Sequence, residues 1–281
     1  MTAQSHFKED LESHSRLFVD AMERLPYWAR STNPIVRRHL GLYWRTLPPV
    51  LRPIALSLVG WTIVLLSTIP IPFVWEIILP MMVLALLSMP VVFLLFGHIL
   101  LTVALTASNI MQEEYRNNTI NLLLATPMSI NQILLGKVSA AIWKRMDDLM
   151  IVLYVTSLTG VTILIMTYKS FFPPEEDPVI LPFILIVGLV VSVIRPVLEV
   201  IMVGAVSVCI GIAVPFRSLA VTSAVVLNGF YFVFINLARH IPQVQEDVRM
   251  VLFLDFVLAL VIPLILIFIA LKLSAYLIEN D

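Results

Sequence analysis

The sequence predicts an all-α, polytopic membrane protein with six transmembrane helices, preceded by amphipathic cytoplasmic or interfacial helices. Composition is the first observation behind this class. Hydrophobic residues make up 59% of the 281 residues and charged residues 13%, whereas soluble domains average about 45–50% apolar and about 25% charged residues. The mean hydropathy is +0.96. In addition, the apolar residues are grouped in runs long enough to cross a hydrocarbon layer about 30 Å thick as α-helices.

Six apolar runs are predicted to be the transmembrane helices. They cover about residues 53–72, 80–107, 147–168, 179–213, 218–237 and 251–275. We therefore expect two parts in the chain, an arm over residues 1–50 and a six-helix transmembrane domain over residues 51–281. A polar connection over residues 109–146 joins the second and third runs.

Lysine and arginine are distributed unevenly around these runs, which predicts their orientation. Eight basic residues precede or begin the first run, and four more lie between residues 112 and 145. By contrast, the stretch IPIPFVWE after the first run has none, and YKSFFPPEEDP after the third has one lysine among three acidic residues. Because basic residues accumulate on the cytoplasmic side, we expect both termini and the polar connection to be cytoplasmic, in a cell (inner or plasma) membrane.

Net charge and cysteine content exclude other classes. The formal net charge of -1 argues against a nucleic-acid partner. Cys209 is the one cysteine and lies inside an apolar run, so no disulfide framework is expected. The first 16 residues are hydrophilic and lack an apolar h-region, so we expect no cleaved signal peptide.

Ionisable residues inside two of the runs are candidates for a pathway or an interface. His98 lies in the second run, and Arg195 and Glu199 lie four residues apart in the fourth, on one helical face. A central arginine costs about 2.5–3.5 kcal/mol on insertion scales and usually faces protein or water. The two residues therefore form a polar element that faces the interior or a dimer seam, or they form a purely structural pair. A third alternative is a break near Pro196 that divides the run into two shorter segments.

The arm is predicted to contain two helices. Apolar residues recur at helical spacing between Phe7 and Leu25. A second helix is expected over residues 33–47, with Asn33 as its N-cap and Pro34 at its first position. Its apolar residues share one face and Arg38 and Arg45 lie opposite, which is typical of a helix at the membrane surface. The alternative is a cytosolic helix packed on a partner.

The segment QEEYRNNTINLLLATPMSINQILLGK, residues 112–137, predicts two helices joined by an elbow. The first helix is expected to continue out of the second span to about Ala125, because Pro127 disfavours helical geometry in the residue before it. Ser129 and Gln132 have the spacing of a capping box, which predicts the start of a second helix.

Three consecutive leucines, Leu122–Leu124, lie in the first of these helices. They are too many to leave in water, so we expect them against a protein groove or the lipid interface. The whole segment also resembles the cytoplasmic signature of type-2 ABC-transporter permeases. That signature contains an acidic pair, Gly-Thr-Leu-Glu, a leucine run, Thr-Pro-Leu-Ser and Ile-Leu-Leu-Gly-Lys. This chain has Glu113-Glu114, Asn118-Thr119-Ile120-Asn121, Leu122-Leu123-Leu124-Ala125, Thr126-Pro127-Met128-Ser129 and Ile133-Leu134-Leu135-Gly136-Lys137.

Two positions depart from the signature, since Asn118 replaces its glycine and Asn121 its glutamate. The stretch NPIVRRHL in the arm also resembles the start of that family. The resemblance implies a permease subunit of an ABC exporter-type complex, with this segment as the coupling helix that docks into a separate ATPase subunit. The implied docking residues are Glu113, Glu114, Arg116, Thr119, Leu122, Leu123, Leu124, Thr126, Pro127 and Lys137.

The resemblance also implies partners: ABC ATPase subunits, a second permease copy or a homologous permease, and the lipid bilayer. The chain contains no G-x-x-x-x-G-K-[ST] motif. We therefore expect no cofactor, no catalytic residue and no enzymatic activity in this chain, with ATP and Mg²⁺ bound by the partner. The five histidines show no metal-ligand spacing, so no metal site is expected.

Two other functions remain open at this point. A non-transporting anchor or assembly subunit of a larger complex would keep the docking segment without a pathway. An ion-coupled secondary transporter would show paired discontinuous helices and inverted repeats, and the sequence shows no internal repeat.

Overall fold

A computed structural model describes residues 26–30, 33–40, 51–78, 80–117, 119–176, 178–239 and 248–280. These residues are predominantly helical and include no strand. A 3₁₀ turn at Tyr27–Ala29 precedes the first helix, and a π-helical turn at Phe253–Leu258 precedes the last. The helices are α1 (Pro34–Leu40), α2 (Leu51–Ser67), α3 (Val74–Ile78), α4 (Met81–Arg116), α5 (Ile120–Leu124), α6 (Ile130–Trp143), α7 (Met146–Tyr168), α8 (Ile180–Ala213), α9 (Arg217–Arg239), α10 (Val248–Leu252) and α11 (Ala259–Glu279).

Five helical stretches in the described residues are long and apolar enough to cross a membrane. The chain is therefore an all-helical membrane protein in its described part. The five stretches correspond in order to the predicted second to sixth spans, and α8 is the predicted fourth span. The predicted first span corresponds to α2, which ends at Ser67 after 17 residues and is shorter than the other five. The five stretches are Val74–Arg116, Met146–Tyr168, Ile180–Ala213, Arg217–Ile235 and Val248–Glu279.

Helix α8 is the centre of the bundle, because α4, α6, α7, α9 and α11 all pack against it. Two of its glycines permit the closest approaches. A Cβ atom at Gly204 would lie 2.8 Å from Cγ1 of Val138, and one at Gly211 would lie 2.9 Å from the backbone oxygen of Ser108. Any larger side chain there would push α8 away from α6 or α4.

The buried apolar residues form two clusters along this bundle. The larger cluster lies where α4, α6, α7, α8 and α11 meet, and it includes Val103, Val138 and Val203. The smaller one lies around Tyr168 and Leu185, where α2 and the π-helical turn contribute. We call the end of the molecule beside the larger cluster the α6 end, and the end beside the smaller cluster the Tyr168 end. Outside them the helices expose large apolar side chains, as expected for surfaces in contact with lipid.

The start of α1 confirms the predicted cap. The backbone N–H of Ile35 donates to Oδ1 of Asn33 at 2.9 Å, and Pro34 is the first helical residue. Helix α1 packs on α6 with Val36 fully buried. The rest of the predicted surface helix, residues 41–47, and the predicted helix between residues 7 and 25 lie outside the described residues. Placement of the arm at a membrane surface stays a prediction.

Candidate functional site

The candidate site is the connection between α4 and α6, and its first feature is a break in the helix. Helix α4 ends at Arg116, Asn117 leaves helical geometry with φ -89° and ψ 2°, and α5 begins at Ile120. The N–H of Thr119 donates to the carbonyl of Glu114 at 3.0 Å, five residues back. The prediction of one continuous helix into the leucines is therefore wrong. Asparagine and threonine side chains compete for backbone partners and favour such breaks.

The elbow after α5 begins one residue before the predicted end of the helix near Ala125. Helix α5 ends at Leu124, and both the N–H and the hydroxyl of Thr126 donate to the carbonyl of Leu123, at 3.1 Å and 2.6 Å. The capping box that begins α6 is confirmed. The N–H of Gln132 donates to Oγ of Ser129 at 3.3 Å, and the N–H of Ser129 donates to Oε1 of Gln132 at 3.1 Å.

Helix α5 turns its leucines outward. Leu122 is 70% exposed and Leu124 38%, while Leu123 is partly covered. Ile120, at the start of the same helix, packs against the larger apolar cluster. Pro127 in the elbow is exposed. The short helix is thus anchored at its first residue, and the exposed side chains of Leu122 and Leu124 form an apolar edge on its outer surface.

A buried ion pair lies behind this edge. Nζ of Lys137 on α6 lies 2.5 Å from Oε1 of Glu114 on α4, and the two side chains are 1% and 2% exposed. The hydroxyl of Thr119 donates to the other carboxylate oxygen of Glu114. Burial lowers the pKa of Lys137, and the hydrogen bond and charge of Glu114 oppose this effect. A single carboxylate therefore connects α4, α6 and the residue that precedes α5.

Two arm residues complete this cluster. Nε2 of His39 lies 2.8 Å from Nζ of Lys137, and a guanidinium nitrogen of Arg38 lies 3.6 Å from Oε1 of Glu114. Burial and the positive charge of Lys137 lower the pKa of His39 to about 4. The imidazole is neutral at neutral pH and accepts a hydrogen bond from the Lys137 ammonium. We call Arg38, His39, Glu114, Thr119 and Lys137 the arm cluster.

The turn between α8 and α9 lies beside the same end of α4. Nε2 of Gln112 donates to the carbonyls of Gly211, at 2.7 Å, and Val214. Arg217 donates to Oδ1 of Asn109 at 2.8 Å. These contacts border an open cleft of about 560 Å³, which is lined by the end of α4, the end of α8 and the turn to α9. At the α6 end, the part of α4 that leads toward α5 therefore borders this cleft.

The structure divides the residues predicted to dock a partner into three groups. Glu113, Arg116, Leu122, Leu124, Thr126 and Pro127 are exposed, and Thr119 and Leu123 are half-buried. Glu114 and Lys137 face each other inside the chain instead. Their contact with a partner stays a prediction, but their burial gives them a structural part in holding the exposed group.

The ionisable residues predicted inside the spans lie apart from this site. Nε of Arg195 donates to Oε1 of Glu199 at 2.7 Å, and Glu199 is 2% exposed. Helix α8 continues through Pro196, so the alternative of two shorter segments is wrong. His98 is exposed on α4 and its carbonyl accepts a hydrogen bond from the Thr102 hydroxyl.

The polar contacts that the sequence did not predict include two that bring distant residues together. One is His39, whose partner lies 98 residues away. The other is Asp255, in the π-helical turn, which accepts a hydrogen bond from the hydroxyl of Tyr168 at 2.8 Å. An aspartate inside the sixth apolar run was a readable signal, because such residues are costly in a membrane. Within the described residues, no group of three or more potential ligands could hold a metal ion.

No known protein-family model matches this chain, and no curated protein or solved structure matches it either.

Proposed function

We propose that this chain is a membrane-spanning permease subunit of an ABC transporter, driven by separate ATPase subunits that dock on the segment around α5. In this proposal α2 acts as a sixth span, and both termini and the α5 segment face the cytoplasm of a cell membrane. A second copy or a homologous permease completes the transport pathway. The resemblance of the segment to the type-2 permease signature and the five apolar helices support this assignment.

The observation that carries the proposal is the apolar edge of α5. Leu122 is 70% exposed although it belongs to a short, ordered helix anchored at Ile120. Burying a leucine side chain is worth about 1.5–3 kcal/mol, so an exposed leucine at the end of a polar connection favours a partner that covers it. A few central apolar contacts usually dominate the affinity of such an interface.

The neighbouring geometry supports a role in transmitting motion. Helix α5 follows α4 after the break at Asn117, and α6 follows the elbow and leads into α7, so both spans connect to this segment. When an ATPase dimer closes on ATP, displacement of α5 would pass through α4 on one side and through the elbow and α6 on the other. Reorientation of these helices would then change access to the pathway between the two permeases.

Co-purification with the candidate ATPase tests the docking surface. We expect Leu122→Ala with Leu123→Ala to weaken the complex at least about tenfold, because each buried leucine contributes about 1.5–3 kcal/mol. The control is Leu86→Ala with Leu87→Ala, a pair of consecutive exposed leucines on α4 outside the segment. If both pairs of substitutions leave the complex equally tight, the docking role of α5 is wrong.

Two further variants separate affinity from coupling. Glu113 is half exposed and lies 4.0 Å from Arg217, and exposed pairs contribute about 0–1 kcal/mol, so Glu113→Lys should change binding little. Pro127→Ala should leave the complex intact and reduce substrate-stimulated ATP hydrolysis in liposomes. A complex that binds the ATPase but gives no substrate stimulation in any form would instead favour the non-transporting anchor.

A further inference from the structure

We propose that the arm helix α1 controls the orientation of the leucine helix α5, through a relay of four side chains: His39, Lys137, Glu114 and Thr119. The inference deepens the docking function proposed above, since it names what holds the docking helix in place. It assigns a regulatory role to the part of this chain that precedes the first span.

The relay is continuous from one helix to the other. His39 on α1 lies 2.8 Å from the Lys137 ammonium on α6, and that ammonium lies 2.5 Å from the Glu114 carboxylate on α4. The other oxygen of the carboxylate accepts the hydroxyl of Thr119, which immediately precedes α5. Each contact joins residues from two different elements. Rotation of any of these helices would therefore break at least one contact of the relay.

Packing beside the relay fixes the register of α1 on α6. Ile35 and His39 are four residues apart and therefore lie on one face of α1. Ile35 lies over Gly136, where an added Cβ would be 3.4 Å from two of its side-chain carbons. The small residue next to Lys137 lets α1 approach closely enough for His39 to reach the ammonium. Trp143, the last residue of α6, donates to the carbonyl of Ala29 at 3.0 Å and holds the 3₁₀ turn that precedes α1.

The relay also explains why the helix breaks before α5. The Thr119 N–H bonds to the Glu114 carbonyl and its hydroxyl to the Glu114 carboxylate, so one residue fixes both the backbone and the side chain at the break. The carboxylate is itself fixed by Lys137. The direction of α5 is therefore set by a residue whose position depends on the arm cluster, and loss of His39 would loosen it from a distance.

Hydrogen exchange of the backbone amides in residues 120–126 measures this coupling in the full-length chain in nanodiscs, without any ATPase. We expect Thr119→Val to raise exchange there about tenfold, the effect of losing a hydrogen bond to a charged group, while Thr119→Ser stays close to the parent. His39→Leu should raise exchange in the same residues by several-fold, and His39→Gln, which keeps an acceptor, should raise it less. Ser192→Ala, in α8 away from the site, is the control for nonspecific loosening.

The decisive outcome is the response of α5 to His39. If Thr119→Val raises exchange in α5 but His39→Leu does not, the relay ends at Glu114 and control by the arm is wrong. If neither variant changes exchange in α5, the whole relay is wrong. Since no partner takes part in this measurement, its failure is distinct from a failure of ATPase docking, which the co-purification measures.

Discussion

Two buried carboxylates in the described part of the chain, those of Glu114 and Glu199, form ion pairs that differ in what they connect. Arg195 and Glu199 belong to one helix, α8, and are four residues apart. Glu114 and Lys137 are 23 residues apart and join α4 to α6, with His39 of α1 against the ammonium. The first pair can hold only its own helix together, whereas the second determines where three elements lie relative to one another.

This difference predicts how each pair responds to mutation. Breaking one partner of a buried pair leaves an uncompensated charge, whereas replacing both partners by apolar residues is often neutral. A pair within one helix can lose both partners without changing the packing of its neighbours. A pair that positions several elements should be sensitive even when charge is balanced.

The largest effect is expected for Lys137→Met. It leaves the Glu114 carboxylate buried without its ammonium, which should destabilise the fold by about 3–5 kcal/mol, measured by thermal unfolding in detergent. The double variant Glu114→Met with Lys137→Met should recover much of this loss in stability while still raising hydrogen exchange in α5. A double variant as unstable as the single one would show that buried charge is not the cause.

A somewhat smaller loss is expected for Gly211→Ala, which tests the seam between α8 and α4. The added methyl group would lie 2.9 Å from the Ser108 backbone oxygen, which cannot rotate away. Overpacking of this kind costs about 1–3 kcal/mol. Gly97→Ala on α4 is the matched control, because its Cβ meets no atom within 4 Å. An equal stability for the two variants would contradict the close approach of α8 to α4.

The third prediction concerns pH and the arm. The pKa of His39 in the folded chain, about 4, lies below its ordinary value of 6.5. The unfolded or undocked arm therefore binds a proton more readily, so the stabilisation by His39 is complete above pH 6.5 and is lost as the pH falls toward 4. Burial is the largest cause of the lowered pKa of His39. The positive charges of Lys137, Arg38 and Lys144 lower this pKa further, and the negative charge of Glu114 raises it.

Hydrogen exchange of residues 35–40 should report this transition. Exchange in the parent, corrected for the intrinsic effect of pH, should increase as the pH falls from about 6.5 to 4. His39→Gln should flatten the profile, because glutamine does not titrate. A profile that persists unchanged in His39→Gln would assign the pH dependence to another group.

The smallest effect on stability is expected for Arg195→Leu with Glu199→Leu. Replacing both charges removes the pair without leaving either charge buried alone. The free energy of unfolding should therefore change by less than about 1 kcal/mol or increase slightly. The single variant Arg195→Leu should be clearly less stable than the double variant. A strongly destabilised double variant would mean that this pair also positions a neighbouring helix, and the contrast between the two pairs would disappear.

Local sequence patterns predicted the parts of the site that neighbouring residues determine. The Ser129–Gln132 capping box, the Asn33 cap and the end of α5 near Pro127 all depend on residues within a few positions of each other. The facing of Arg195 and Glu199 depends on helical spacing alone. These features were readable because their energies are set along the chain.

The break at Asn117 was not predicted, because two influences compete there. The three leucines of α5 favour helix in isolation, and the apolar run predicted a helix continuous with α4. The competing contact is the bond between the Thr119 hydroxyl and a carboxylate that is itself held by Lys137. Sequence spacing alone does not reveal that Lys137 lies within reach, since 23 residues and an elbow separate it from Glu114.

By itself, the sequence determined that this is a helical membrane protein, where its apolar runs fall and how its elbow is capped, since hydrophobicity and capping act locally. The tertiary structure decided which polar residues face each other. It buried Glu114 and Lys137, left Leu122 exposed, and brought His39 to a partner 98 residues away. The physical reason is that burying a charge is costly unless a partner compensates for it, and the packing of helices around α8 determines which residues meet.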